Sequence, residues 1–190
     1  NVTIEGLIIN YTVFMAFGEV TCMIFGGLSP VFTKTVGSKR MAFFWSALLC
    51  LVLSIAFFFI PMSPDYIWVM IALVILTSIG IGIYSPLMWS MYADVADYHT
   101  ERFGTSATGL IFSSGTMSQK FGTAISGSLI ALFLGWAGAN MITDKMGNTV
   151  IDPTSITDSV LMMVWSLFSL FPAVIAFLLM VLSYKFPIKK

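Results

Sequence analysis

The sequence predicts an all-α polytopic membrane protein, and its composition and the grouping of its apolar residues carry that prediction. Of the 190 residues, 58% are hydrophobic and 9% are charged, and the mean hydropathy is +0.95. A water-soluble domain does not bury that much apolar surface, whereas a bundle of membrane helices places it against lipid. The apolar residues form five segments, each long enough for a helix of about 20 residues that crosses a bilayer.

Polar connections separate these five segments and set their predicted bounds. The spans are expected at residues 7–32, 41–60, 66–92, 106–137 and 159–184. Gly80, Gly82 and Pro86 interrupt the third segment, and Pro172 lies in the middle of the fifth. Proline removes a backbone hydrogen bond and tends to kink a helix. Such breaks occur both in helices that line a transport path and in helices that bend only to pack, so both interpretations stay open.

The positions of the basic residues predict the orientation in the membrane. One of them, Lys145, lies in the last connection, on the opposite side from most of the others. Seven share one side: Lys34, Lys39, Arg40, Arg102, Lys185, Lys189 and Lys190. The positive-inside rule then predicts a multi-pass protein of the cell membrane (plasma or inner), with its N-terminus outside and its C-terminus in the cytoplasm. The chain begins with Asn1 and not with methionine, so we expect a piece of a longer protein.

A single lysine, Lys120, lies deep inside the fourth predicted span. A charge at the bilayer centre costs about 2.5 to 3.5 kcal/mol on insertion scales, so such a lysine normally faces a partner, a cavity or a pathway. At about 100° per residue, Ser113, Thr116 and Thr123 fall within about 60° of Lys120 and form a polar face with it. The simpler alternative is a structural lysine that pairs with a carboxylate on another helix.

The opposite side of the same segment carries small residues at every fourth position. This spacing is typical of a face on which two helix backbones approach closely in a membrane. The stripe consists of Ser114, Ser118, Gly122 and Ser126. We therefore expect one face of this helix to pack and the other to bind.

Glu19 is the second charge expected near mid-depth, in the first span. It binds substrate or a cation, pairs with Lys120, or stays protonated without a role, and the spacing does not decide among these three roles.

The sequence also disfavours several classes of protein. The net charge is zero, with no basic cluster for nucleic acid, and Cys22, Cys50 and His99 have no spacing suited to a metal site or to a nucleophile with its base. We expect neither an enzyme nor a metal site.

Two stretches resemble the glycoside-pentoside-hexuronide cation symporters, a branch of the major facilitator superfamily. The first is similar to that family's tenth-to-eleventh loop and eleventh helix and rests on Ala93-Asp94-Val95-Ala96-Asp97-Tyr98, Ala107-Thr108-Gly109 and Gln119-Lys120 with Gly122. The second is similar to the family's loop between helices eight and nine and rests on Leu28-Ser29-Pro30-Val31-Phe32-Thr33-Lys34 with Gly37-Ser38-Lys39-Arg40. The run from His99 to Phe103 departs from the family pattern.

The resemblance implies that residues 1–190 form family helices eight to twelve, the C-terminal helical bundle of such a transporter. It implies symport of a sugar or glycoside with sodium or a proton by alternating access. The N-terminal half of the same transporter is then a partner and holds most of the ligands of the coupling cation, and no other cofactor is expected. The lipid bilayer is the remaining partner.

Several residues receive roles in this picture. Lys120 and Thr116 carry over to the substrate and cation cavity, and position alone adds Ser113, Thr123 and Glu19. Trp89 is either a stacking surface for a sugar or an anchor at the membrane interface. The cytoplasmic gate would consist of Asp94, Asp97, Arg102, Lys39 and Arg40.

Two alternatives from other classes remain beside this hypothesis. A major facilitator carrier of another cargo, such as a lysolipid, could also use a wide apolar cavity with one lysine. A membrane fragment without transport activity would have the same composition. Inhibition of uptake by sugars would distinguish a sugar transporter from a carrier of another cargo. The presence of a partner half would distinguish a transporter from a fragment without activity.

Overall fold

Five long helices form the chain, as expected for an all-α membrane protein. A computed structural model describes residues 2–4, 7–9, 11–61, 63–143 and 149–185. The helices are α1 Tyr11–Val36, α2 Lys39–Phe58, α3 Ile67–Phe103, α4 Thr108–Trp136 and α5 Asp158–Lys185. The predictions that involve Asn1, Lys145, Lys189 and Lys190 fall outside the described residues.

Short elements flank and join the helices. An antiparallel pair, β1 Val2–Ile4 and β2 Leu7–Ile9, precedes α1, so the first helix begins later than the predicted start at residue 7. A second antiparallel pair, β3 Met141–Thr143 and β4 Thr149–Ile151, lies in the connection between α4 and α5. Single turns of 3₁₀-helix at Pro64–Tyr66 and Pro153–Ser155 lead into α3 and α5.

The largest difference from the predicted bounds is at the end of α3. The prediction of a charged loop after residue 92 is wrong, because α3 continues through this segment to Phe103. Neither glycine nor proline occurs between Leu87 and Phe103, so nothing in the segment stops the helix. The helix ends at Gly104, which has a φ of +70° and whose N–H donates to the carbonyl of Thr100 at 2.9 Å.

Four helices of the described chain, α1, α2, α3 and α5, are long and apolar enough to cross a membrane. The fourth predicted span, 106–137, forms α4, which has 29 residues but is not among them. Its serine, threonine and glycine residues, together with Gln119 and Lys120, lower its hydropathy. The helix forms where it was predicted, and its composition suits a helix with one surface against protein or water and the other against lipid.

Small residues bring α1 and α3 into close contact. A Cβ placed on Gly82 would stand 2.6 Å from the carbonyl oxygen of Cys22, and one on Gly18 would stand 2.9 Å from Ser78 Oγ. Ser29, which is 2% exposed, donates its hydroxyl to the carbonyl of Ile83 at 3.0 Å. The close contact of α1 with α3 is therefore built on small residues, of which Gly18 and Cys22 are four apart along α1.

The small-residue stripe predicted on α4 does not form such a contact within this chain. No other part of the described chain comes within 4 Å of a Cβ placed on Gly122. Within the described chain Gly122 therefore has no close-packed neighbour, so the predicted packing at this residue stays a prediction, whereas Ser114 and Ser118 line a cavity shared with α2, α3 and α5. Gly115 makes the close approach of α4, against the ring of Tyr92.

The glycines of α3 have a packing role. Gly80 lies against Cys50 and the carbonyl of Ser46 on α2, as Gly82 lies against α1. Further along α2, Phe57 packs against Trp165 and Phe168 of α5, with ring centroids 4.9 and 5.2 Å apart. These contacts favour the packing interpretation of Gly80 and Gly82.

Candidate functional site

The polar face predicted around Lys120 is present on α4. Lys120, Ser113, Thr116 and Thr123 all belong to this helix, and all four are exposed. Each hydroxyl donates to a carbonyl of the helix itself: Ser113 to Leu110 at 3.0 Å, Thr116 to Ser113 at 2.9 Å and Thr123 to Gln119 at 2.9 Å. Since these bonds use the hydroxyl protons, the hydroxyl oxygens remain available as acceptors beside the ammonium donors of Lys120.

The structure does not bring Lys120 and Glu19 together. Both residues are described, and no ion pair joins them. Glu19 instead lines a cavity of about 320 Å³ between α1, α2, α3 and α5, whose lining does not include Lys120. The alternative in which these two charges neutralise each other is therefore wrong for this conformation.

The cavity at Glu19 is mostly apolar with a few hydroxyl groups. Glu19 is the only acidic residue among the described residues that line this cavity. Ser54 of α2 and Thr77 and Ser78 of α3 contribute hydroxyl groups. Pro172 of α5 also lines it, and a proline has no N–H to donate to the preceding turn. Carboxylate and hydroxyl oxygens are the donor types that hold a hard cation, and the same carboxylate can carry a proton.

Trp89 lies at the contact between α3 and α4. Its ring is stacked on Phe112 of α4, with centroids 6.2 Å apart and an angle of 9° between the planes. Tyr92 meets both rings edge-on, at 5.7 Å from Trp89 and 6.3 Å from Phe112. One ring face of Trp89 is thus occupied by a neighbouring helix, which explains its position without a ligand.

The predicted gate residues do not form one cluster. Lys39 Nζ lies 2.8 Å from both carboxylate oxygens of Asp94, which joins α2 to α3. Arg40 donates to the backbone carbonyl of Tyr184, which lies on a different helix, α5. Arg102 donates to the hydroxyl of Tyr98 at 2.5 Å, and Asp97 is exposed. The structure supports a pairing role for Lys39 and Asp94 and leaves the gate role of the other three a prediction.

These contacts place three of the predicted cytoplasmic charges at the same end of the bundle. Lys39, Arg40 and Asp94 meet there with the end of α5, where Lys185 follows Tyr184. The clustering agrees with the charge asymmetry of the sequence. Which side of the membrane this end faces stays a prediction.

Sequence reasoning missed the hydroxyl groups that share the cavity with Glu19. Ser54, Thr77 and Ser78 lie on helices that follow α1 at different distances along the chain, so no motif links them to Glu19. Their signal is a polar residue inside an otherwise apolar span, as in Leu53-Ser54-Ile55 and Leu76-Thr77-Ser78-Ile79. That signal identifies candidates but does not show that they share a cavity.

The chain is similar to known transporters. Residues 6–190 match the family model described as MFS/sugar transport protein. The Glucuronide carrier protein homolog of Escherichia coli K12 is 33% identical over 114 residues, which covers 58% of this chain and 24% of that protein. Inner membrane symporter YicJ of the same organism is 30% identical over 100 residues, which covers 53% and 21%.

A third relative comes from Pseudescherichia vulneris and is named Uncharacterized 29.9 kDa protein in crtE 3'region. It is 39% identical over 101 residues, which covers 53% of this chain and 36% of that protein. The match therefore spans little more than a third of this relative and between a fifth and a quarter of the two others. No solved structure is significantly similar to the chain.

Proposed function

Because the chain belongs to the MFS/sugar transport protein family, we propose that it is part of a secondary active transporter that carries a sugar or glycoside together with sodium or a proton. Relatives named as a symporter and as a glucuronide carrier homolog support the transport role. The partner in this proposal is an N-terminal half of the same transporter. The multi-pass chain would lie in the cell membrane with its C-terminus in the cytoplasm.

The polar face of α4 is the observation that carries the proposal. Lys120 lies near the middle of a 29-residue helix and is exposed, with three hydroxyl-bearing residues on the same face. A lysine at that depth is costly against lipid, so its face belongs against water or protein. In facilitator-type transporters, substrate binds near the midplane between two halves that rock against each other, which is where such a face would lie.

The chemistry of this face suits a neutral polyol. A sugar offers hydroxyl groups that both donate and accept hydrogen bonds. The hydroxyls of Ser113, Thr116 and Thr123 donate their protons to helix carbonyls, so their oxygens can accept hydrogen bonds from a sugar. The ammonium of Lys120 can donate hydrogen bonds to the same sugar. A few convergent polar groups of this kind are what orient a ligand in an otherwise apolar site.

Coupling requires that the bound cation raise the affinity for the sugar, and that the sugar raise the affinity for the cation by the same factor. We assign most cation ligands to the N-terminal half, with Glu19 as a further carboxylate from this half. The cavity that Glu19 lines lies between α1, α2, α3 and α5. Its hydroxyl groups give a cation additional oxygen ligands.

Uptake by the full-length protein in membrane vesicles tests the proposal. We expect Lys120→Ala to abolish accumulation of a labelled glycoside under a sodium or proton gradient, with the protein still inserted at the wild-type level. Lys34→Ala is the matched control, because Lys34 is an exposed lysine near the end of α1. Undiminished accumulation by Lys120→Ala contradicts the proposal. Inhibition of uptake by a lysolipid but not by sugars would instead support a lipid cargo.

A further inference from the structure

We propose that the groove between the start of α2 and the end of α5 binds the headgroup of an anionic phospholipid. The groove has a volume of about 570 Å³ and is lined by Ser38, Arg40, Met41, Phe44, Trp45 and Tyr184. It combines the guanidinium of Arg40, the hydroxyls of Ser38 and Tyr184, and the apolar and aromatic side chains of the other lining residues. This proposal does not depend on the transport function.

The direction of Arg40 sets this groove apart from the gate. Successive residues on a helix point about 100° apart, and the two basic residues at the start of α2 show the result. Lys39 reaches Asp94 on α3, whereas the guanidinium of Arg40 lies 5.4 Å from the ring centroid of Tyr184 and donates to its carbonyl on α5. Arg40 therefore lies at the α2–α5 edge and takes no part in the Lys39–Asp94 pair.

The charges in the groove favour an anion. A guanidinium has five N–H donors, and the bond to the Tyr184 carbonyl uses one nitrogen, so further donors remain for a phosphate. Arginine binds phosphate through paired hydrogen bonds, which makes it the preferred residue for such a group. None of the described lining residues is acidic, and the residue that follows Tyr184 at the end of α5 is a lysine, Lys185.

The surface next to the groove favours a lipid over a soluble anion. Met41 and Trp45 are 49% and 50% exposed, and further apolar side chains on the same helix, Leu49, Val52 and Ile55, are exposed beyond them. On α5, Tyr184 and Leu182 are exposed as well. Tryptophan and tyrosine are enriched at membrane–water interfaces, where an acyl chain can follow the apolar strip while the headgroup meets the arginine.

The same surface does not resemble a site for a second protein half. The face of α4 that we assign to a partner carries Lys120 and hydroxyl groups along its length, whereas the outward surface of α2 below Arg40 is apolar. A basic residue at the end of an apolar strip is the pattern expected for a phospholipid in the membrane. Anionic headgroups bind such basic pockets between helices.

The experiment uses the full-length protein in nanodiscs of phosphatidylcholine with or without phosphatidylglycerol. Native mass spectrometry counts retained phosphatidylglycerol, and thermal denaturation measures its stabilising effect. We expect a preference for phosphatidylglycerol over phosphatidylcholine that falls about fivefold in Arg40→Gln, the change expected for one basic residue near an anionic surface. Lys34→Gln, which removes an exposed charge outside the groove, should keep the full preference.

A second variant keeps the proposal testable if Arg40→Gln does not fold, since Arg40 also contacts Tyr184. Ser38 precedes the first residue of α2, where both aspartate and asparagine are well tolerated. Ser38→Asp places a carboxylate in the groove and should abolish the preference, and Ser38→Asn should not. Equal retention of phosphatidylglycerol by all variants overturns the proposal. Stabilisation by inorganic phosphate in lipid-free detergent, with no preference between the two lipids, also overturns it, because the ligand is then a free anion.

Discussion

Lys39 and Asp94 are 55 residues apart in the sequence, yet the ammonium of Lys39 lies 2.8 Å from both carboxylate oxygens of Asp94. The side chains are 31% and 15% exposed, so the pair is only partly open to solvent. It joins the first turn of α2 to the part of α3 for which the sequence predicts a loop. The helical continuation of α3 is what fixes the position of Asp94 opposite Lys39.

Removing either partner of this pair should lower the stability of the end of the bundle at which α2 begins. We expect a double-mutant cycle with Lys39→Met and Asp94→Asn to give a coupling free energy of about 1 kcal/mol, near the upper end for pairs that are partly exposed. Thermal or denaturant unfolding in detergent measures it, and high salt should reduce it. A coupling of zero would mean that the contact contributes nothing to stability.

The same pair predicts a change in conformational bias. If Asp94 helps to close this end of the bundle, then Asp94→Lys should favour one facing state of the full-length carrier, because it places two like charges together. Cys22 lines the Glu19 cavity, whereas Cys50 is 5% exposed against Gly80, so alkylation of the two native thiols reports access. We expect the alkylation rate of Cys22 to change several-fold and that of Cys50 to stay low.

An unchanged alkylation rate of Cys22, together with unchanged uptake kinetics, would contradict the gate role of Asp94. Asp97→Lys is the comparison variant, because Asp97 lies one turn further along α3 and is exposed. A change in Asp94→Lys alone would assign the effect to the contact with Lys39. A similar change of the alkylation rate in both variants would assign the effect to the negative charge of this surface, which would then act on the N-terminal half.

The sequence predicted the helices well and their contacts poorly. Apolar runs separated by polar connections located all five helices, because burial in lipid imposes composition and length on every span. The end of α3 was missed because charged residues that leave the membrane can remain helical until a stop signal such as Gly104. The α1–α3 contact of Gly18 and Gly82 was missed because small residues spaced four apart occur on α4 as well, and spacing alone does not identify the partner helix.

Alanine substitution at Gly82 should destabilise the bundle more than the same change at Gly122. A Cβ at Gly82 would lie 2.6 Å from the backbone of Cys22, so α1 and α3 must separate, at a cost of about 1–3 kcal/mol. At Gly122 no other part of the described chain lies within 4 Å, and alanine improves helix propensity. The apparent melting temperature in detergent should fall for Gly82→Ala and stay constant or rise for Gly122→Ala.

A fall for Gly122→Ala in the full-length protein, with no fall in this chain alone, would also be informative. It would show that the small-residue stripe of α4 packs against the other half of the transporter. The stripe would then be a contact surface between halves, as its spacing predicts, with its partner outside this chain. A melting temperature of Gly82→Ala equal to that of the unsubstituted protein would contradict the close α1–α3 contact.

Glu19→Gln distinguishes the roles left open for this carboxylate. The substitution keeps the shape of the side chain and removes its charge from a cavity in which it is the one acidic residue described. If Glu19 is a ligand of the coupling cation, the cation concentration for half-maximal uptake should rise about tenfold, which corresponds to about 1.4 kcal/mol of binding free energy. A sugar-binding role would instead raise KM for the sugar at saturating cation. Asp65→Asn, an exposed change before α3, should alter neither value. If Glu19→Gln also alters neither value, Glu19 is a residue of the cavity wall that binds neither the cation nor the sugar, and the coupling carboxylates all belong to the N-terminal half.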